Sequence, residues 1–504
     1  MLCDTTFEMA QLNLLDLPDE ILELIIYHIG CEFGWKSKTL SYRAGIRTVC
    51  RKFHDLATPI VFSEFEYDPD SDRDIAFCHE RPLLFAQSLT CEPRLALHLR
   101  NLSLTRWDGL FVHNDAYHKL FSGTTNSIET LDRYGQLLLS NDSQLTKLNI
   151  DYPAGCSFLN LSFPRLREAE VRPIGGVDFL GFFGRKEYPL SGYLNVDFLS
   201  YLLQSPELEC LGISSAYITK DENIPRIALT PNSSSLEDLW MQVGNFDEAA
   251  LVYILQAPKA LLSFNMHPTT ECDVSFESGS DPANLPRIST IGKALSAQAA
   301  SLQTLRLSRG NWIWHPNLDT LGSLRSMVEL KEIKLDATML LGWNHCRHHR
   351  AVGQPEPLSS FDLAKLLPDN IEHLELALDD HHWYRNRSDY VLFLVWGLQA
   401  EQERLWKLET VSLTLTFQPY CDECDEHIGI QTTRENISFQ EIKAVREVIK
   451  ECRFKFVWWP EYGFWDEDNH GVIHEPALKG DESAWRLDED AGNIGQYASQ
   501  MEEV

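Results

Sequence analysis

A short apolar motif, Leu-x-x-Leu-x-Leu, returns along most of this chain, and no other feature restricts the fold as strongly. It stands at Leu99/Leu102/Leu104, Leu145/Leu148/Ile150, Leu166/Ala169/Val171, Leu208/Leu211/Ile213 and Leu236/Leu239/Met241. It continues at Leu261/Phe264/Met266, Leu302/Leu305/Leu307, Leu330/Ile333/Leu335, Ile371/Leu374/Leu376 and Leu408/Val411/Leu413. The last two positions of each copy flank a residue that is polar in most copies, which is the period of a strand with one buried face. Apolar helical segments lie between several copies, at 198–203, 249–255, 291–300 and 390–405. A strand-then-helix unit this small has no core of its own, so successive units must stack and share one. The expected fold class is therefore α/β: a curved solenoid with a parallel sheet on its concave face and helices and loops outside. Copies are spaced from about 21 to about 46 residues apart, so the connecting loops are expected to be irregular.

Charge narrows the partners. Against 44 basic residues stand 74 acidic ones, a net charge of −30, and phosphate backbones are held by clustered Lys and Arg, so a nucleic-acid partner is not expected. The longest apolar run, residues 390–398, is far short of the roughly 18 needed to cross a bilayer, and no membrane role is expected. The twelve cysteines show no small-domain framework, and residues 1–12 lack a basic-then-apolar leader pattern. Reduced thiols in the cytoplasm or nucleus follow, with the N-x-Ser sequons beginning at Asn101, Asn141, Asn160, Asn232, Asn386 and Asn436 left unmodified.

The first part of the chain has a different character. After a tail of residues 1–11, residues 12–62 read as a small helical module. Pro18 suits a first helical turn, and Asp19 and Glu20 sit where the helix dipole is positive. Leu17, Ile21, Leu24, Ile25 and Ile29 recur at helical spacing and are predicted to face the core, leaving Leu22 and Ile26 over. A second helix is predicted from 41 to about 57, with Ile46, Val49, Cys50, Phe53 and Ala57 on one stripe and Thr58-Pro59 ending it. Residues 63–94 read as an acidic linker, 95–465 as the repeat region and 466–504 as an acidic tail.

Leu17, Pro18, Glu20, Ile21, Leu22 and Ile25, followed by Val49, Cys50, Arg51, Phe53 and Leu56, resemble the two half-motifs of the F-box family. The spacer between them departs from the family, carrying Phe33-Gly34-Trp35 in place of a short acidic turn. The repeats resemble a leucine-rich-repeat horseshoe of irregular type, although the Asn or Cys usual after the third apolar residue is mostly absent. The F-box resemblance implies a non-catalytic substrate receptor of a Skp–cullin–F-box ubiquitin ligase. Leu17, Pro18, Ile21, Leu22, Ile25, Val49 and Cys50 would then dock on a Skp-type adaptor, while the solenoid holds a target protein. The alternative is a repeat scaffold whose N-terminal helices only cap the array.

No phosphate loop, dinucleotide fingerprint, nucleophile elbow or His-Glu-x-x-His pattern is present, so no catalytic residue and no cofactor are expected. Cys421, Cys424 and His427 have a spacing that suits zinc, one ligand short of a closed site, with His345, Cys346, His348, His349, His381 and His382 as sources of the fourth. The other reading is that they are reduced surface thiols among ordinary loop histidines. Loops after four late strands carry Trp312 and Trp314, Trp343 and His348, Trp383 and Tyr384, and then Tyr420, and aromatic residues of this kind dominate binding hot spots. They are the expected target-binding ridge, unless the tryptophans fold inward as caps. Strand residues between the apolar positions, among them Trp240, Gln242, His267, Arg306, Lys334 and His373, are predicted to face the concave side.

Overall fold

The computed structural model describes residues 14–28, 45–67, 80–105, 144–153, 162–174, 192–219, 230–246, 248–268, 288–308, 320–341, 362–379, 387–416, 448–460 and 477–478. They belong to two compact units, one formed by residues 1–214 with 222–228 and the other by 215–221 with 229–504.

Among the described residues the first unit begins with a 3-10 turn at Leu14–Asp16, helix α1 (Asp19–His28), helical residues at 45–46, and helix α2 (Arg51–Phe62). Leu22 and Ile26 of α1 are completely buried against Phe53 and Ala57 of α2, with Leu17, Ile46, Cys50, Leu56 and Ile60 packed around them. This inverts the expected stripe: Ile21 and Leu24 are 42% and 53% exposed, and the residues thought to be left over make the core. The reason lies in α1 itself, which is apolar around most of its circumference, so period alone does not choose a face; the bulky Phe53 opposite does. Helix α2 also departs from expectation. Cys50 is extended, with φ −159° and ψ 169°, so the helix starts at Arg51, and it runs through Pro59 to Phe62. Phe62 is buried and its ring stacks on Phe85 at 5.9 Å, a tertiary anchor that holds the last turn despite the proline.

The described residues of the segment expected as a linker hold β1 (Glu64–Tyr67), α3 (Glu80–Cys91) and the start of a 3-10 turn at Pro93–His98. Phe65 lies 4.0 Å from Phe85, ring centroid to centroid, which joins β1 to α3. Strand β1 pairs in parallel with β2 (Asn101–Leu104), β2 with β3 (Lys147–Pro153), β3 with β4 (Glu168–Ile174), and β4 with β6 (Cys210–Thr219). Strand β5 (Gly192–Asn195) and helix α4 (Val196–Leu203) intervene in sequence. The register aligns like with like: Phe65, Leu102, Leu148, Ala169 and Leu211 form one buried row, and Tyr67, Leu104, Ile150, Val171 and Ile213 the next.

The second unit repeats the plan with β7 (Asp238–Phe246), β8 (Ser263–Pro268), β9 (Thr304–Leu307), β10 (Glu332–Asp336), β11 (His373–Asp379), β12 (Thr410–Thr416) and β13 (Lys455–Pro460). Each is parallel to the next, and Leu239, Phe264, Leu305, Ile333, Leu374, Val411 and Phe456 align as a single row. Helices α5 (Glu248–Gln256), α6 (Ile288–Leu295), α7 (Ala337–Leu341), α8 (Leu363–Leu366) and α9 (Arg387–Ala400) fall between strands. Each motif leucine in this stack is at most 5% exposed, and burying one is worth about 1.5–3 kcal/mol, so the rows carry the fold. A last strand, β14 (Ala477–Leu478), runs antiparallel to β13 inside the segment expected as a tail.

One backbone device recurs at nearly every step. A single carbonyl just before a strand accepts two successive amides of the next unit. Arg100 accepts Thr146 and Lys147, Arg167 accepts Glu209 and Cys210, Leu262 accepts Gln303 and Thr304, and Glu372 accepts Glu409 and Thr410. Loop length therefore varies freely without changing strand register, because the register is set again at each strand's start.

Candidate functional site

The two-helix module leaves apolar side chains uncovered. Besides Ile21 and Leu24, Leu14 is 49%, Tyr27 55% and Val49 66% exposed, and Pro18 is exposed as well. Of the residues expected to dock, Pro18, Ile21 and Val49 lie at the surface, Leu17, Ile25 and Cys50 are half-buried, and Leu22 is sealed inside the module. Leu24, which the helical period places on the core stripe, and Tyr27, which lies off it, are exposed as well. The surface is held in shape from within. Lys52 Nζ donates to the carbonyls of Leu15 (3.0 Å) and Leu17 (3.4 Å) and pairs with Asp19 Oδ1 (3.0 Å). Arg47 Nε donates to Thr58 Oγ1 (3.0 Å) while its guanidinium lies 5.0 Å from the centroid of the Phe62 ring, fixing the segment before α2 to the helix body.

The polar strand positions alternate with the buried rows as expected. In the second unit Trp240, Asn265, Arg306, Lys334 and Glu375 form one row across β7 to β11. Trp240, Gln242 and His267 are half-buried, and Arg306, Lys334 and His373 are exposed. Arg306 pairs with Glu332 at 2.7 Å and Lys334 with Glu375 at 2.6 Å, so the cations on this row are neutralised by neighbours on adjoining strands. His267 Nδ1 lies 2.8 Å from Ser308 Oγ. Burial, then the nearby Lys334 and Arg306 charges, hold its pKa below the ordinary 6.5. The sign follows: the unfolded chain takes up the proton more readily, so this group's contribution to stability is full above 6.5 and declines as the pH falls below it. His267→Asn should accordingly flatten the fall in melting temperature between pH 7.5 and pH 5, measured by scanning calorimetry against wild type.

In the first unit a polar cleft of about 610 Å³ opens at the starts of β2, β3, β4 and β6, lined by Asn101, Thr146, Lys147, Arg165, Arg167, Glu168 and Glu207. Lys147 pairs with Glu168 at 2.5 Å, and Arg167 reaches Glu207 at 3.5 Å, so two of its three cations are already matched. The Glu168 hydrogen bond and charge raise the Lys147 pKa above its usual value.

Trp312, Trp314, Trp343, His348, Trp383 and Tyr384 lie outside the described residues, as do Cys421, Cys424 and His427 and the histidines and cysteine proposed to complete their site. Among the described residues no group of three or more His, Cys, Asp or Glu side chains is placed to hold a metal ion. Among the same residues no helix is long and apolar enough to cross a membrane.

The described residues define an α/β protein whose parallel strands carry the buried rows, with apolar helices before the first described strand. In comparisons with known proteins, no family model and no curated protein matches the chain.

Proposed function

We propose that the protein is a non-catalytic substrate receptor, docking through its two-helix module on a Skp-type adaptor of a cullin-RING ubiquitin ligase and holding a target protein with its repeats. The observation that carries this reading is the set of exposed apolar side chains on the module, Ile21, Leu24, Tyr27 and Val49, within a segment that resembles the F-box half-motifs. Apolar groups of this size are stabilised by a partner that covers them, each by about 1.5–3 kcal/mol before the costs of association. On this reading the protein performs no chemistry. It raises the concentration of a target beside a ubiquitin-loaded enzyme, and the ubiquitin transfer occurs elsewhere in the assembly. Trp312, Trp314, Trp343, His348, Trp383 and Tyr384 are assigned to target binding, and Cys421, Cys424 and His427 to a structural zinc.

The test uses the full chain with a purified Skp-type adaptor. The double variant Ile21→Glu/Val49→Glu should weaken adaptor binding by about 100-fold or more in calorimetric titration, since two apolar contacts are lost and two charges are brought into the interface. Its melting temperature should stay at the wild-type value, because both positions are exposed. Wild-type affinity in this variant would sink the proposal.

One observation favours a second reading, that the helices serve to cap the repeats. The Phe62, Phe85 and Phe65 rings form a stack that fastens the end of α2 to the first strand. A cap needs this stack and has no use for exposed Ile21 or Val49. Failure of the wild-type chain to bind any Skp-type adaptor, with its stability lowered by Phe62→Ala, would select this reading.

A further inference from the structure

We propose that Lys52 is a positioning residue for the docking surface, clamping the chain that leads into α1 onto the start of α2. The inference rests on the docking reading above and concerns how that surface is kept in shape. An ammonium group has three N–H donors and no acceptor. At Lys52 the three meet the Leu15 carbonyl at 3.0 Å, the Leu17 carbonyl at 3.4 Å and Asp19 Oδ1 at 3.0 Å. All three acceptors belong to one short stretch of chain, and that stretch carries Leu14, Leu15 and Pro18, all exposed, immediately before Ile21. Lys52 itself stands two residues after the extended Cys50, whose neighbour Val49 is the most exposed apolar residue of the module.

The module's core does not supply this constraint. Leu22, Ile26, Phe53 and Ala57 fasten the body of α1 to α2, and among the described residues before α1 it is the half-buried Leu17 that packs on that core. Residues 14–16 form a single 3-10 turn, closed by the Leu17 amide on the Leu14 carbonyl at 3.3 Å, which is too short to hold its own direction. Without Lys52, the segment would keep its hydrophobic residues and lose its fixed orientation toward Val49. A surface assembled from two pieces of chain binds best when both are held before the partner arrives, because ordering them on binding subtracts from affinity. Stability is a separate matter. Lys52 and Asp19 side chains are 37% and 62% exposed, and ion pairs so open to water contribute little to folding.

That separation makes the role testable on the full chain with Lys52→Met, which keeps most of the aliphatic stem and removes every donor, and Lys52→Arg, which restores donors and charge. Lys52→Met should bind purified Skp-type adaptor about tenfold more weakly, the scale set by ordering one or two flexible groups on association. Deuterium exchange should speed up in the peptide covering residues 14–22, while melting temperature stays at the wild-type value. Lys52→Arg should recover most of the affinity. Wild-type affinity in Lys52→Met, alongside lost binding in Ile21→Glu/Val49→Glu, overturns the positioning role and leaves the docking reading intact. A melting temperature that falls in step with affinity, with no recovery by arginine, also overturns it, since the residue is then structural only. Absence of adaptor binding by the wild-type chain overturns both.

Discussion

Gln298→Leu should destabilise the second unit by about 3 kcal/mol, read from the shift in denaturant midpoint, because it strands three buried backbone groups at once. Gln298 is 2% exposed and lies between two strand-helix repeats. Its Nε2 donates to the carbonyls of Leu255 (2.9 Å) and Pro258 (3.2 Å), and its Oε1 accepts from the Leu261 amide at 3.0 Å and from Ser301 Oγ at 3.2 Å. The amide thus satisfies the chain where it leaves α5 and turns toward β8, beside the isolated parallel bridge between Ser234 and Pro258. Leucine fills much of the same space, so the loss reports unpaired polar groups and only a small cavity. Gln298→Glu should be worse still. Its carboxylate keeps the acceptor for Leu261 but turns a donor pointing at two carbonyls into a negative charge. A loss below about 0.5 kcal/mol for Gln298→Leu would mean that the three backbone groups find other partners when the amide is gone.

The same contrast between periodic and single-residue information explains what was legible in the sequence. The strands were legible because the leucine rows are set by a period, and every unit has to bury the same three positions. Segments departing from leucine were harder to see. β1 buries Phe65 and Tyr67 among acidic residues, and β13 buries Phe456 just after the buried Phe454, so neither shows the leucine motif although both join the sheet in register. The helix faces of the N-terminal module were illegible for the opposite reason. Nearly every position of α1 between Ile21 and Tyr27 is apolar, and the choice of Leu22 and Ile26 for the core depends on Phe53 and Ala57, which arrive from a segment far along the chain. That inversion buries Leu22, which the family resemblance would place on the docking surface, and leaves Leu24 and Tyr27 exposed. Lys52 was equally hidden: two of its three partners are main-chain carbonyls, and a carbonyl leaves no trace in the sequence.

Gly292→Ala is expected to reverse the usual sign of its substitution. In a helix interior, alanine is ordinarily favoured over glycine by about 0.8–1 kcal/mol, since it restricts the unfolded chain and adds no strain. Gly292 is inside α6, between Ile291 and the buried pair Ala294 and Leu295. A Cβ built there would overlap the Leu321 carbonyl oxygen and come within 2.8 Å of its carbonyl carbon and 3.1 Å of its Cα. These are main-chain atoms and cannot swing aside as a side-chain tip would. They are also tethered, since the Leu321 amide donates to the Met339 carbonyl at 2.8 Å and the Leu321 side chain is only 6% exposed. Moving them requires shifting the segment that covers α6 away from α7, with the contacts of both helices, and the net loss should be about 2–3 kcal/mol. Gly45→Ala is the control: no atom lies within 4 Å of its added Cβ, and its stability should stay within about 0.5 kcal/mol of wild type. Gly322→Ala separates the two causes, because there the space is open but φ is +80°, a conformation that costs alanine about 1–2 kcal/mol whatever its neighbours. A stabilising Gly292→Ala would show that the Leu321 segment yields freely and that close backbone contact is not what requires glycine in α6.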